Sequence, residues 1–191
     1  VIKCIGMDPP WLERGGGKSK RGADRHYPLM SKQEIFQALK DSTIGGEFSR
    51  KASCHLWMWA TSNYLPDALW LMQVLGFTYK TSAAWVKVQP CVRIGHDDNG
   101  CERPAVDLGL QIGLGQYMRH AHELLLLGTR GDAMVPEPAD RLPSVIFAPR
   151  TRHSEKPAEA YALIERASPG ARLECFAREQ RKGWTVWGDQ V

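Results

Sequence analysis

The sequence predicts an α/β domain, a mostly parallel sheet flanked by helices. Strand-like segments alternate with amphipathic segments from Val1 to Phe176, and the strands are apolar on both of their alternating faces, as in a sheet covered on both sides. The polar breaks after Met7, Ala60 and Phe176 all fall at strand exits. Sheets of this class bind ligands beyond the carboxyl ends of their strands, so these exits are where chemistry is expected. The 191 residues suffice for one domain with its own core, so residues 1–191 are read as a single unit.

Val1 to Met7 reads as a buried strand ended by the prolines of Asp8-Pro9-Pro10-Trp11. Glu13 to His26, rich in Gly, Lys and Arg, reads as a loop. Ser31-Lys32-Gln33-Glu34 is a capping-box pattern that opens a helix through about Leu39. His55 to Ala60 is a Trp-rich strand, with Thr61-Ser62-Asn63 as its polar exit. Leu65 to Leu75 is a helix with Ala68, Leu71, Met72 and Leu75 on one face and Gly76 as its stop. Tyr79 to Val88 and Glu123 to Gly128 read as strands, separated by a polar stretch from Gln89 to Tyr117. That stretch is too long for an idle connection and so reads as functional or mobile. Pro143 to Ala148 is a further strand. A helix then runs from about Pro157 to Ala167 with Ala160, Ile164 and Ala167 on one stripe, Ser168-Pro169-Gly170 ends it, and Arg172 to Phe176 is the last strand.

Composition excludes several classes. Hydrophobic residues at 43% and charged residues at 24% exclude a disordered tail. The apolar run Leu124 to Leu127 falls far short of the roughly 20 residues a spanning helix needs, so no membrane partner is expected. Val1 to Gly6 is too short for a signal peptide, and a chain opening on Val reads as part of a longer one, truncated at its N-terminus. Five cysteines without a Cys-x-x-Cys pair fit reduced thiols in a cytoplasmic setting. A net charge of +4 permits a polyanionic partner without demanding one.

Asp8-Pro9-Pro10-Trp11 carries the strongest chemical signal. Two prolines stiffen the turn and donate no backbone N–H, which leaves carbonyl oxygens to face a ligand. A carboxylate, a rigid carbonyl and an aromatic face suit a planar exocyclic amine. Its two hydrogens would bond to Asp8 and to the Pro9 carbonyl while the ring stacks on Trp11. Two fixed acceptors would orient so weak a nucleophile toward an incoming methyl group. The bland alternative is a strand-ending turn with a packing Trp.

The tetrapeptide resembles the catalytic motif of the adenine amino-methyltransferases related to the catalytic subunit of the eukaryotic mRNA adenosine methyltransferase, and this chain resembles a bacterial or phage DNA-modifying member. Colinear segments extend the resemblance over nearly the whole chain: His26 to Ser31, Leu56 to Trp59, Trp85-Val86-Lys87, Arg119 to Glu123, Lys156-Pro157, Ile164 to Gly170, Glu174 to Arg178 and Gly183 to Gln190. The resemblance implies a Rossmann-like fold in circularly permuted order, with the catalytic strand before the cofactor strand. It implies S-adenosylmethionine as cofactor and the exocyclic N(6) amine of adenine, in DNA rather than RNA, as acceptor. It makes Asp8, with Pro9, Pro10 and Trp11, the catalytic set, and also puts Asp8 beside the methionine part of the cofactor. Lys156 matches a lysine that contacts the cofactor carboxylate; read locally it is a first-turn lysine. Glu174 and Arg178 meet the ribose, their alternative being a surface ion pair. Glu179, Gln180 and Arg181 stand where the mRNA enzyme has Pro-His-Asn, and Asp189 and Gln190 match positions at the cofactor adenine. The chain departs from the family at Ala177, where Gly is frequent, and at Asp189, where Asn is frequent, which bears on the individual ribose and adenine contacts. Family residues upstream of the catalytic strand also help bind that adenine, and Val1 begins after them.

Lys18, Lys20, Arg21 and Arg25 lie on the loop directly after the catalytic turn, placed to hold phosphates; a solvated loop is the alternative. Tyr27 resembles a residue lining the target-base pocket, and the same match puts His120 with the nucleic-acid contacts. His120 and His122 share one strand face without a third ligand, so a hydrogen-bonded strand start is preferred to a metal site and no metal is expected. Rival readings are the same reaction on adenosine in RNA, a non-catalytic nucleic-acid-binding partner subunit, and methylation of a protein amide. The intact Asp8-Pro9-Pro10-Trp11 disfavours the second, and Asp8 in place of Asn disfavours the third. Target choice would rest on loops, on a homodimer partner or on segments outside these residues. If the Glu13–His26 loop grips phosphates, changing Lys18, Lys20 and Arg21 together to Ala flattens the log–log salt dependence of oligonucleotide affinity by up to about three units. A salt titration checks this, and an unchanged slope assigns the loop to solvent.

Overall fold

The sheet is organised around β1 (Cys4–Met7), a strand buried along its whole length. In the computed structural model the described residues are 1–12, 28–49, 51–96, 99, 102–113, 117–152, 155–188 and 191. On one side β1 pairs in parallel with β2 (Cys54–Ala60), Met7 level with Met58. On the other it pairs in parallel with β7 (Arg172–Cys175), Met7 level with Cys175. β8 (Trp184–Trp187) extends this half, parallel to β7. Beyond β2 come β5 (His122–Arg130) and β3 (Thr78–His96), each pairing antiparallel with its inner neighbour. β6 (Val145–Ala148) closes that edge parallel to β3. The far half of β3 forms a hairpin with β4 (Glu102–Leu110). Six strands therefore run one way and only β4 and β5 run against them, which is the mostly parallel α/β sheet that the alternation of segments predicts.

Helices α1 (Lys32–Asp41), α2 (Gly45–Ser49) and α3 (Leu65–Val74) cover one face. There Ile5 and Met7 of β1 and Leu56 and Met58 of β2 meet Ile35, Leu39, Leu71 and Met72. Helix α4 (Ala158–Ala167) covers the other, where Cys4, Trp57, Trp59 and Trp85 meet Ala160 and Ile164. This is the period-two alternation of strands buried on both faces. The capping box is present as written in the sequence: the Glu34 N–H donates to Ser31 Oγ at 3.3 Å and the Ser31 N–H to Glu34 Oε2 at 2.7 Å. Gly76, at φ +81°, ends α3 in the left-handed conformation that favours glycine.

Three elements differ from the expectation. The stretch from Gln89 to Tyr117 is largely a β-hairpin, with β3 continuing to His96 and β4 returning from Glu102. Pro90 and Pro104 within it argue against strands by sequence alone. The short α2 and the four-residue β8 carry too few residues to show a period.

Gly188 marks the tightest approach at the carboxyl edge. A Cβ there would lie 2.1 Å from the Ala177 carbonyl oxygen and 2.7 Å from its nitrogen, both backbone atoms. Gly188→Ala must therefore part the segments that leave β7 and β8. Overpacking of this kind costs about 1–3 kcal/mol, so the thermal midpoint falls by several degrees, and an unchanged midpoint would show that the backbone yields freely.

Candidate active site at the carboxyl edge of the sheet

The register of β1 with β7 makes Asp8 and Phe176 neighbours as their strands leave the sheet. The crossover through α4 carries the chain from β6 at one edge to β7 on the far side of β1, so the strand order reverses between β1 and β7, the position where ligands of such sheets sit. Phe176 has φ +60°, a left-handed conformation uncommon for a bulky residue. Its ring is held edge-on against Trp187 with centroids 5.2 Å apart. Strained backbone of this kind clusters at functional sites.

A row of alternating charges runs along this edge. Arg178 Nη2 lies 3.3 Å from Asp8 Oδ2, and Lys156 Nζ lies 3.1 Å from Asp8 Oδ1 and 3.1 Å from Glu123 Oε2. Lys87 Nζ lies 2.6 Å from Glu123 Oε1. Because β5 runs against its neighbours, its first residues lie at the carboxyl end of β2 and beside Trp85 and Val86 of β3, which is how Glu123 reaches the row. The Lys156 side chain is only 9% exposed, and its Nζ lies 5.3 Å from the centroid of the Trp59 ring. Burial opposes its charge, yet the carboxylates of Asp8 and Glu123 prevail and hold its pKa above that of an ordinary lysine. Burial likewise pushes the Glu123 carboxyl up, but the ammonium groups of Lys156 and Lys87 outweigh it and bring its pKa to about 2.

A second cluster forms where β7 ends. The Tyr161 hydroxyl, on α4, donates to Glu174 Oε1 at 2.6 Å. Arg181 lies over the Tyr161 ring, its guanidinium carbon 3.4 Å from the centroid, with Nε 3.6 Å from Glu174 Oε2 and Nη2 3.3 Å from Glu179 Oε1. Burial raises the pKa of Glu174, with the Tyr161 hydrogen bond and the Arg181 charge opposing it.

The structure thus brings together Asp8, Lys156, Glu174, Arg178 and Arg181. Glu179 is exposed beside them and Gln180 is exposed with its side chain in no described bond. Lys18, Lys20, Arg21, Arg25, Tyr27, Asp189 and Gln190 lie outside the described residues. His120 is half-buried just before β5, where its carbonyl accepts from the Gly113 N–H at 2.8 Å. His122 Nε2 lies 3.4 Å from Ser62 Oγ.

The turn itself corrects one expectation, the open face of Trp11. Trp11 is 8% exposed, stacks on Tyr64 with centroids 5.7 Å apart and donates its indole N–H to the Trp59 carbonyl at 3.1 Å. It packs the turn onto the core and does not offer an open face to a base. The Pro9 carbonyl accepts from the Trp11 N–H and the Pro10 carbonyl from the Met30 N–H, each at 2.8 Å, so one lone pair of each is engaged in holding the turn. Glu123, Lys87 and Tyr161 are absent from the residues singled out by sequence. Charges at the head of His122-Glu123-Leu124-Leu125 and inside Trp85-Val86-Lys87-Val88, both apolar strands, were the available signal.

A mostly parallel sheet with helices on both faces, and a site of acceptors and cations at the exits of its central strands, define a Rossmann-like domain of the methyltransferase type. The family described as MT-A70 matches residues 2–190, and the chain belongs to it. It is 26% identical over 208 residues to the type II methyltransferase M.MunI of a Mycoplasma species, covering 99% of this chain and 77% of that one. It is 41% identical over 200 residues to the human N(6)-adenine-specific methyltransferase METTL4, covering all of this chain and 38% of that one. An N(6)-adenosine-methyltransferase MT-A70-like protein of Arabidopsis thaliana is 29% identical over 140 residues, 71% of this chain and 18% of that one. The chain thus spans most of the Mycoplasma protein but well under half of the other two.

The ionic row predicts a defined acid response. The Glu123 pKa is held at about 2 in the fold against an ordinary 4.5, so its contribution is complete above about pH 4.5 and is lost as pH falls toward 2. The native protein is expected to exceed Glu123→Gln in unfolding free energy by roughly 2–3 kcal/mol near neutrality, the gap closing through that window. Urea unfolding at a series of pH values measures it, and a gap that persists at the acid end would break the assignment.

Proposed function

We propose that this chain transfers a methyl group from S-adenosylmethionine to the exocyclic N(6) amine of adenine in DNA. The observation that carries the reading is Asp8: a carboxylate at the exit of the central strand, 22% exposed, fixed on its two oxygens by Lys156 and Arg178. The donor set fits the cofactor. Lys156 and Arg178 suit its carboxylate, and the acceptors Asp8 and Glu174 suit its ammonium and its ribose diol. When bound, the cofactor supplies a methyl group already activated by its sulfonium.

The chain's own work is then alignment and charge placement. The rigid Pro9-Pro10 segment, stapled by the Trp11-to-Pro9 and Met30-to-Pro10 hydrogen bonds, holds the Asp8 carboxylate at one place. Asp8 accepts a hydrogen bond from the amine and orients its lone pair toward the methyl group, and the remaining lone pair of the Pro9 carbonyl accepts the second hydrogen bond. The single proton that the amine releases on methylation leaves by way of Asp8 to water. Lys156 and Arg178 fix the carboxylate by one oxygen each, and Lys156 shares its charge with Glu123. DNA is preferred to RNA because the relative matched over most of both chains is a type II methyltransferase, and the human one is named adenine-specific. The basic loop after the turn would take the phosphates, and a soluble cytoplasmic setting suits the reduced thiols.

Methyl transfer to matched DNA and RNA oligonucleotides, with the methylated base identified, tests the substrate. Asp8→Ala is expected to lower transfer at least roughly a hundredfold while the protein stays folded, since Lys156 keeps Glu123 as a partner. Folded Asp8→Ala with near-native turnover would remove Asp8 from the mechanism, and methyl found only in RNA would move the substrate to adenosine.

A further inference from the structure

We propose that Tyr161 is the positioning residue for Glu174, fixing the carboxylate so that its second oxygen is presented to the ribose hydroxyls of the cofactor. This rests on the reading of Glu174 as the ribose acceptor. A carboxylate meets a vicinal diol well only if its plane is held, since a glutamate has three rotatable bonds and a loose one loses rotamer freedom on binding. The geometry supplies that hold. Oε1 accepts from the Tyr161 hydroxyl at 2.6 Å, a short bond to an ionised acceptor. Oε2 has only the Arg181 Nε at 3.6 Å among the described residues, beyond hydrogen-bond length. One oxygen is thus anchored and the other is available.

The anchor is itself rigid. The Tyr161 ring is clamped between the Arg181 guanidinium, 3.4 Å from its centroid, and the edge of Trp184, with centroids 5.9 Å apart at 87°. Trp184 is fixed in turn by its indole N–H, which donates to Glu165 Oε1 at 2.8 Å. Tyr161 projects from α4, the crossover helix, so the bond ties the helix that precedes β7 to the carboxylate at the end of β7. Burial, and then the Glu174 charge, raise the phenol pKa well above its ordinary value, so it remains a donor throughout the working range. The groups facing Glu174 are Asp8 from β1, Tyr161 from α4, and Arg181 and Glu179 from the segment after β7. Without the hydroxyl, one of the two influences that hold the buried carboxyl ionised is gone.

Calorimetric titration with S-adenosylhomocysteine and with its 2′,3′-dideoxy analogue, which lacks the ribose hydroxyls, tests this. Glu174→Gln tests the underlying reading: it should weaken S-adenosylhomocysteine binding roughly tenfold or more and leave the dideoxy analogue little changed. Tyr161→Phe should weaken S-adenosylhomocysteine binding roughly fivefold to tenfold, leave the analogue within about twofold, and add nothing in the double variant, because both changes act on one contact. The Tyr161→Phe loss should also grow as pH is lowered, since the unsupported carboxyl protonates earlier. If Glu174→Gln binds both probes normally, the ribose reading fails and the proposal with it. If Glu174→Gln behaves as expected but Tyr161→Phe binds normally, or weakens both probes equally, Tyr161 is a packing residue and the proposal alone is overturned. Tyr161→Leu provides the same pair of titrations should the Phe variant not fold.

Discussion

The ammonium of Lys156 sits in the wall of the protein against the Trp59 ring, with almost none of its side chain in water, and much of the architecture follows from keeping it there. A buried unpaired cation is expensive, and removing one partner from a buried pair typically costs about 3–5 kcal/mol. Two carboxylates reach it. Asp8 arrives directly from the end of β1. Glu123 arrives only because β5 is antiparallel: a strand inserted between β2 and β3 in the common direction would bring its carboxyl end to this edge, whereas β5 brings its first residues. Lys87 then balances the second carboxylate. The row Arg178, Asp8, Lys156, Glu123, Lys87 is thus a consequence of strand direction as much as of residue type.

The central strands carry a second constraint, close packing on both faces. Gly6 lies beneath the Trp184 ring, where a Cβ would meet Cζ3 at 3.0 Å. Trp57 and Trp59 fill the α4 face, while Leu56 and Met58 fill the other. Packing this dense lets the exits be exact in position although the connecting segments are irregular. Trp11 belongs to this system. Its indole is tied to the Trp59 carbonyl, one residue short of the end of β2, so the turn after β1 is registered against β2. A tryptophan in the motif thereby acts on the carboxylate three residues before it through the backbone.

What was legible in the sequence follows from what each signal depends on. The first strand, the Ser31–Glu34 cap, the α3 stripe with Gly76 and the α4 stripe are local; the structure has the helices within a residue or two and the strand three residues shorter at its start. Asp8 was legible because four consecutive residues carry its context, and Lys156, Glu174 and Arg178 because colinear segments point to them. The hairpin of β3 and β4 was not, since its prolines contradict strand propensity and pairing across two strands is non-local. The partners of Lys156 and Glu174 were not either. Glu123 and Lys87 pair across 36 residues, and Tyr161 and Glu174 meet because a helix folds back on the next strand. The packing of Trp11 is hidden for a related reason: an aromatic residue beside a carboxylate looks the same in a sequence whether its face is open or stacked on Tyr64.

The two carboxylates on either side of Asp8 are driven in opposite directions. Glu123, with two ammonium neighbours, is held ionised down to about pH 2, while Glu174, buried against a phenol, is pushed up. Environments that separate the pKa values of neighbouring carboxyls mark different tasks. Glu123 is committed to the protein, its charge consumed by Lys156 and Lys87, and it serves best by never protonating. Glu174 is held on one oxygen by a neutral donor and paired on the other with the Arg181 guanidinium at 3.6 Å. Asp8 stands between them, sharing Lys156 with the first and the β1–β7 edge with the second. That division sets a carboxylate paired with two cations at β1 and a phenol-bonded carboxylate at β7, one strand apart in a sheet whose neighbouring strands are spaced about 5 Å. β1 and β7 are adjacent parallel strands whose crossovers lie on opposite faces, β1 being left through α1 and α2 on one and β7 being entered through α4 on the other.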